Sequence, residues 1–140
     1  MDKRKCLIFF GVLAVTALVF SGSLKLDWTN WDDNLLVYEN PLVREARFID
    51  IFTKPADYNT YNPLVISSFA LEWKLVGDRP FLYHFDNLIL HLLCTGLVLL
   101  LFRRMGLSVW WSGVGALLFG IHPMRVESVA WITERNDVLY

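Results

Sequence analysis

The sequence predicts an all-α integral membrane chain, with three transmembrane helices and a long outer loop that carries short interfacial helices. Three observations lead to this fold class. Of the 140 residues, 55% are hydrophobic and 15% aromatic, and the mean hydropathy of +0.41 is more apolar than that of an ordinary soluble domain. Three apolar runs each approach the ~20 residues that a bilayer crossing needs. Basic residues gather at the ends of these runs and not within them. The formal net charge of −1 provides no basic field, which excludes nucleic acid as a partner.

The first run covers residues 6–24 behind the charged start Asp2-Lys3-Arg4-Lys5. Ser21-Gly22-Ser23 also offers small residues for signal-peptide cleavage, but the two further apolar runs favour a retained span. The second run, 81–102, follows Pro80 and is closed by Arg103-Arg104; the third, 105–121, ends at His122-Pro123. With three crossings, Lys3, Arg4, Lys5, Arg103 and Arg104 all mark one side, so the N-terminus is expected in the cytoplasm. The loop 25–80 and the tail 122–140 then lie together on the outer face, all within the N-terminal part of one transmembrane domain. That loop carries nine acids (Asp27, Asp32, Asp33, Glu39, Glu45, Asp50, Asp57, Glu72 and Asp78) against six bases (Lys25, Arg44, Arg47, Lys54, Lys74 and Arg79). Cys6 and Cys94 fall in apolar segments and read as small hydrophobes, not as a disulfide or a metal-ligand pair.

Inside the loop, Asn62-Pro63 precedes an apolar stretch, Leu64 to Val76, that Gly77-Asp78 ends. Pro in the first turn and Gly past the last predict a helix too short to span and interrupted by Glu72 and Lys74, hence interfacial. Arg44 to Phe52 predicts a second short helix. After His122-Pro123, residues 124–137 predict one further interfacial helix, with Val126, Val129, Ala130 and Thr133 on one face and Glu127, Trp131 and Glu134 on another.

The candidate chemistry begins at Asp32-Asp33, adjacent carboxylates flanked by Trp31 and Tyr38 just beyond the first span. Such a pair at a membrane surface suits acid/base or metal chemistry, although an Asp here can equally cap a short helix. In the second span, His84, Asn87, His91 and Thr95 fall within a sector of roughly 80° at ~100° per residue. Such a stripe either holds helices together or lines a polar cavity. The two histidines are about 10 Å apart along the axis, too far to share one metal ion. Ser112, Ala116 and Gly120 form a small-residue stripe that lets helices approach closely, and Trp110-Trp111 form an interfacial anchor. In the tail, Arg135 can grip a phosphate bidentately, while a solvated helix face explains the same charges.

Four stretches together resemble a known family: Trp31-Asp32-Asp33 through Asn40-Pro41; Tyr61-Asn62-Pro63-Leu64 with Ser68-Phe69-Ala70-Leu71; Tyr83-His84 with Asn87 and Leu90-His91; and His122-Pro123 with Glu127 to Trp131 and Glu134 to Asp137. They resemble the transmembrane and tetratricopeptide-repeat O-mannosyltransferases and their bacterial relatives, of the GT-C class of membrane glycosyltransferases. The resemblance implies transfer of a sugar, with mannose the candidate, from a polyprenyl-phosphate donor in the membrane lipid to a protein or glycan hydroxyl. It makes Asp32 the base and Asp33 an orienting group or the ligand of a divalent metal, with His122 and Arg135 on the departing phosphate, Glu127 orienting them, and His84 and Asn87 in the substrate site. It further implies a bacterial plasma membrane and an N-terminal fragment that is inactive alone, since three spans do not enclose a donor site. Relatives commonly carry Arg where Asn62 stands, which removes one candidate partner for a phosphate or a carboxylate. The competing classes are a non-enzymatic membrane scaffold, in which Asp32 and Asp33 only cap a helix, and a transporter fragment whose polar stripe lines a pathway.

Overall fold

A computed structural model describes residues 3–29, 31–56 and 61–139. Asp57 of the acidic loop and Tyr140 of the tail lie outside the described residues. The described chain is helical, with no strand among the described residues. The first apolar run forms α1 (Lys3–Phe20), which tightens into a 3₁₀ turn over Ser21–Lys25. There the Ser21 and Ser23 hydroxyls donate to the carbonyls of Leu18 and Phe20, satisfying the acceptors that a helix end leaves open.

The stretch that follows folds into short pieces. Asn34–Tyr38 is a single π-helical turn, followed by α2 (Pro41–Arg44) and α3 (Phe48–Thr53). The predicted helix 44–52 is therefore divided, because Ala46 adopts φ 49° between α2 and α3. Asn40 organises this corner: its Oδ1 accepts from the Leu42 N–H, and its Nδ2 donates to the carbonyls of Leu35 and Ala56. The Pro and Gly punctuation acts as expected in α4 (Pro63–Val76), with Pro63 in the first turn and Gly77 at φ 63° closing onto Trp73.

The second run is α5 (Pro80–Arg104), long and apolar enough to cross a membrane, as is Lys3–Lys25. Both meet that criterion by length and composition. The third apolar run is shorter than predicted. Residues 105–108 form a turn in which Gly106 takes φ 92°, and α6 begins only at Val109, where the Ser108 hydroxyl caps it. At 12 residues, α6 (Val109–Gly120) is about 18 Å long, well short of the ~30 Å hydrocarbon core.

The helices α1, α5 and α6 pack through Val12, Leu99 and Ala116. Small residues set their spacing. A Cβ on Gly113 would lie 2.6 Å from Ile8 Cγ2, and one on Gly120 would lie 2.6 Å from Thr16 Oγ1 and 2.9 Å from Thr95 Cγ2. A second core joins the loop pieces to the bundle through Val37, Val43, Ile51, Ile66, Phe69, Tyr83 and Ile132. The tail departs most from its prediction. Its single helix breaks at Trp131 (φ −99°, ψ 119°) into α7 (Arg125–Ala130), a 3₁₀ turn over Ile132–Arg135, and α8 (Asn136–Leu139). Val126, placed on the predicted apolar face, is 52% exposed.

Candidate functional site

The fold brings the Asp-Asp segment against the tail. The Trp31 and Trp131 rings meet edge to face with centroids 5.0 Å apart. Beside them runs a groove of about 440 Å³, lined by Leu26, Thr29, Trp31, Glu127, Ala130 and Trp131, with Val126 completing the wall. The two carboxylates part company here. Asp32 is exposed, whereas Asp33 is fully buried and its Oδ2 accepts from both the N–H and the hydroxyl of Thr29, at 2.8 and 2.7 Å. Asp33 occupies the residue before the π turn, yet its side chain makes no capping bond to that turn. Its bond to Thr29, a lining residue, instead ties the groove wall to the segment that carries Asp32.

The acids of the tail gather on the same side. Partial burial pushes the Glu134 carboxyl up, and the neighbouring charges of Asp137, Glu127 and Asp32 push it further. Glu127 is exposed on the groove wall, and Asp137 accepts from the Ser128 hydroxyl at 2.8 Å. His122 is also exposed; its Nδ1 accepts from the Met124 N–H at 3.2 Å. Among the described residues, no three His, Cys, Asp or Glu side chains converge as a metal-ion ligand set. The chemistry below uses no metal ion.

Arg135 lies elsewhere. Only 1% exposed, it donates through Nε to Asn87 Oδ1 at 2.7 Å and through NH1 to Ser68 Oγ at 2.7 Å and Glu72 Oε2 at 2.9 Å. Its NH2 donates to the Tyr83 carbonyl at 3.1 Å, and the guanidinium stacks 4.4 Å from the Phe69 ring centroid. The fork predicted to hold a phosphate is engaged by protein groups on α4 and α5, because the break at Trp131 turns it inward. Asn87 is its counterpart: while Oδ1 receives Arg135, Nδ2 donates to the Trp131 and Ile132 carbonyls freed by that break. Glu72 shows the cost of this burial. Desolvation pushes its carboxyl up to about 8, the Arg135 guanidinium opposes that, and the neighbouring Asp86 carboxylate reinforces it.

The rest of the polar stripe also faces inward. His91 Nε2 donates to the Gly120 carbonyl at 2.8 Å and so joins α5 to the end of α6, while the Thr95 hydroxyl donates back within α5 to the His91 carbonyl at 2.9 Å. His84 is fully buried, and the Asp27 backbone and the Asp33 charge both act on its ring. Thus Thr29, Trp31, Glu127 and Trp131 line the groove, with Asp32 and Asp33 directly after Trp31 in the chain, while Asn87 and Arg135 form a separate interior network. Sequence reasoning passed over Ser68 and Glu72 as partners of Arg135. Their signal was a hydroxyl and an acid four residues apart on one face of an otherwise apolar helix.

No protein-family model matches the chain, and no solved structure matches it. Curated sequences do match. Protein O-mannosyl-transferase TMTC1 of Mus musculus is 36% identical over 89% of this chain and 14% of its own length. TMTC1 of Homo sapiens is 35% identical over 89% and 15%, and tmtc2 of Xenopus laevis is 30% identical over 89% and 16%. This chain is homologous to protein O-mannosyl-transferases. It spans about one seventh of the length of these relatives. The relatives named are animal proteins, so the expected bacterial plasma membrane draws nothing from them.

Proposed function

We propose that this chain forms part of a membrane GT-C glycosyltransferase that moves a sugar, mannose by the names of its relatives, from a polyprenyl-phosphate donor to a protein or glycan hydroxyl. The observation that carries the proposal is the groove itself. An exposed carboxylate, Asp32, follows directly on an exposed tryptophan whose ring meets Trp131 at the groove wall, while the adjacent Asp33 is locked inward by Thr29. An aromatic wall with carboxylates beside it suits a neutral hydroxyl-bearing acceptor, and the surrounding acids disfavour a second phosphate there.

In this reading the acceptor hydroxyl lies against the Trp31 and Trp131 wall, and the Asp32 carboxylate takes its proton as the oxygen bonds to the anomeric carbon. The bond from that carbon to the donor phosphate breaks, and the electron pair leaves with the lipid phosphate. Asp33 is a positioning residue that holds the Asp32 segment through Thr29. His122, exposed on the same outer segment, is the proposed donor to the leaving phosphate, a role Arg135 gives up to the interior network. The topology proposed with this chemistry places the N-terminus in the cytoplasm, α6 as a third crossing completed by its flanking turns, and the Asp-Asp loop on the outer face.

The test is transfer of labelled mannose from a polyprenyl-phosphate donor in membranes containing the full-length parent, comparing the wild type with Asp32→Asn at matched expression. Loss of a catalytic base lowers transfer by about 10²- to 10⁴-fold. Unchanged transfer by the folded variant would remove the base role and leave Asp32 as a surface residue.

A further inference from the structure

Where the first helix begins and the fifth ends, basic residues outnumber acidic ones. Lys3, Lys5, Arg103 and Arg104 lie there beside Arg4, which has a partner of its own; Asp2 is the acid next to them in the sequence, while α1, the stretch Asn87–Arg104 and α6 contain no Asp or Glu. Trp110 and Trp111, 66% and 67% exposed at the start of α6, mark the same level as a membrane interface. Between α1 and α5 at this level opens a groove of about 370 Å³ whose walls include Phe9, Phe10, Leu99 and Leu100, with Lys5 and Arg103 also lining it. Arg103 is held in place by a hydrogen bond from NH1 to the Leu107 carbonyl, which leaves its remaining N–H groups for another acceptor. Lys5 is exposed.

We propose that this groove seats one anionic glycerophospholipid, with an acyl chain along Phe9, Phe10, Leu99 and Leu100 and its phosphate between Lys5 and Arg103. The apolar walls account for the chain, since in a membrane the adjoining solvent is lipid. The two cations account for the anionic headgroup, because a zwitterionic one carries its own positive charge into the same place. Basic pockets between membrane helices at one interface recognise acidic headgroups in this way. The site is distinct from the Trp31 and Trp131 groove, with which it shares no lining residue, and it serves retention and orientation of the bundle instead of sugar transfer.

The experiment is native mass spectrometry of the full-length parent, titrated with phosphatidylglycerol and, separately, phosphatidylcholine. Wild type is compared with Lys5→Gln, with Lys5→Gln/Arg103→Gln, and with Lys25→Gln, a basic residue outside the groove. Each headgroup cation is worth about a fivefold change in affinity, so Lys5→Gln should bind phosphatidylglycerol about fivefold more weakly and the double variant about 25-fold. Lys25→Gln and all phosphatidylcholine titrations should match wild type. The single variant removes an exposed side chain only, so it keeps the test readable if loss of the Arg103 bond to Leu107 prevents folding. Equal affinity for the two lipids, an undiminished affinity in Lys5→Gln, or the absence of any bound lipid because another segment of the parent fills the groove would overturn the proposal.

Discussion

Arg135 separates a ligand-binding role from an architectural one, and Arg135→Met is the substitution that decides between them. In the structure its guanidinium serves four acceptors: Asn87 Oδ1, Ser68 Oγ, Glu72 Oε2 and the Tyr83 carbonyl. Methionine fills much of the volume but donates nothing, so four groups in a buried site lose their donor together. A single orphaned buried acceptor costs about 1–3 kcal/mol, which applies to Glu72 while it is neutral below about pH 8, and breaking a buried ion pair from one side, which applies above it, costs about 3–5 kcal/mol. These losses overlap at one site, so the larger figure bounds the sum: Arg135→Met should lower stability by about 3–5 kcal/mol. Adding Glu72→Leu removes the carboxyl left behind, and the two changes should couple by about 1–3 kcal/mol in the restoring direction. The assay is denaturant unfolding in detergent micelles, read as a change in midpoint at constant slope. If Arg135→Met unfolds within about 0.5 kcal/mol of wild type while sugar transfer is lost, the guanidinium acts on a ligand and the architectural reasoning fails.

Glu72, neutral in the fold up to about 8 but ionised from 4.5 when exposed, binds more protons folded than unfolded across that interval. Its contribution should therefore be full below 4.5 and decline as pH rises towards 8, and Glu72→Gln should flatten that part of a stability–pH curve in micelles. At Gly120 a methyl group would meet Thr16 and Thr95 at 2.6–2.9 Å, so Gly120→Ala should destabilise the bundle by about 1–3 kcal/mol. Gly11→Ala, with nothing within 4 Å, should be neutral or slightly stabilising by the same unfolding measurement. Asn40→Ala removes the α2 cap and leaves two carbonyls, those of Leu35 and Ala56, without their donor. A loss of about 1–2 kcal/mol is expected, accompanied by faster proteolysis within residues 40–56.

Some of this arrangement was legible in the sequence because it depends on local rules. Pro63 and Gly77 bound α4 whatever surrounds it, and the inward face of His84, Asn87, His91 and Thr95 follows from helical period alone. Periodicity also placed Ser112, Ala116 and Gly120 on the packed side of α6, where all three are buried. The third apolar run misled on length, since hydropathy does not distinguish Met105 to Ser108 as a turn from the same residues as a helix; Gly106 was the signal. The tail could not be read locally at all. A helical pattern from Met124 to Asp137 is broken at Trp131, and the carbonyls released there are received by Asn87, 44 and 45 residues earlier in the chain. That break directs Arg135 inward onto Ser68 and Glu72, more than 60 residues away, and it leaves Trp131 against Trp31 at the groove. One non-local exchange thus decides both which residue is architectural and which ring faces the proposed substrate. The Asn87 side chain, read from sequence as a substrate ligand or helix glue, shapes the groove from behind by holding the break that builds its wall.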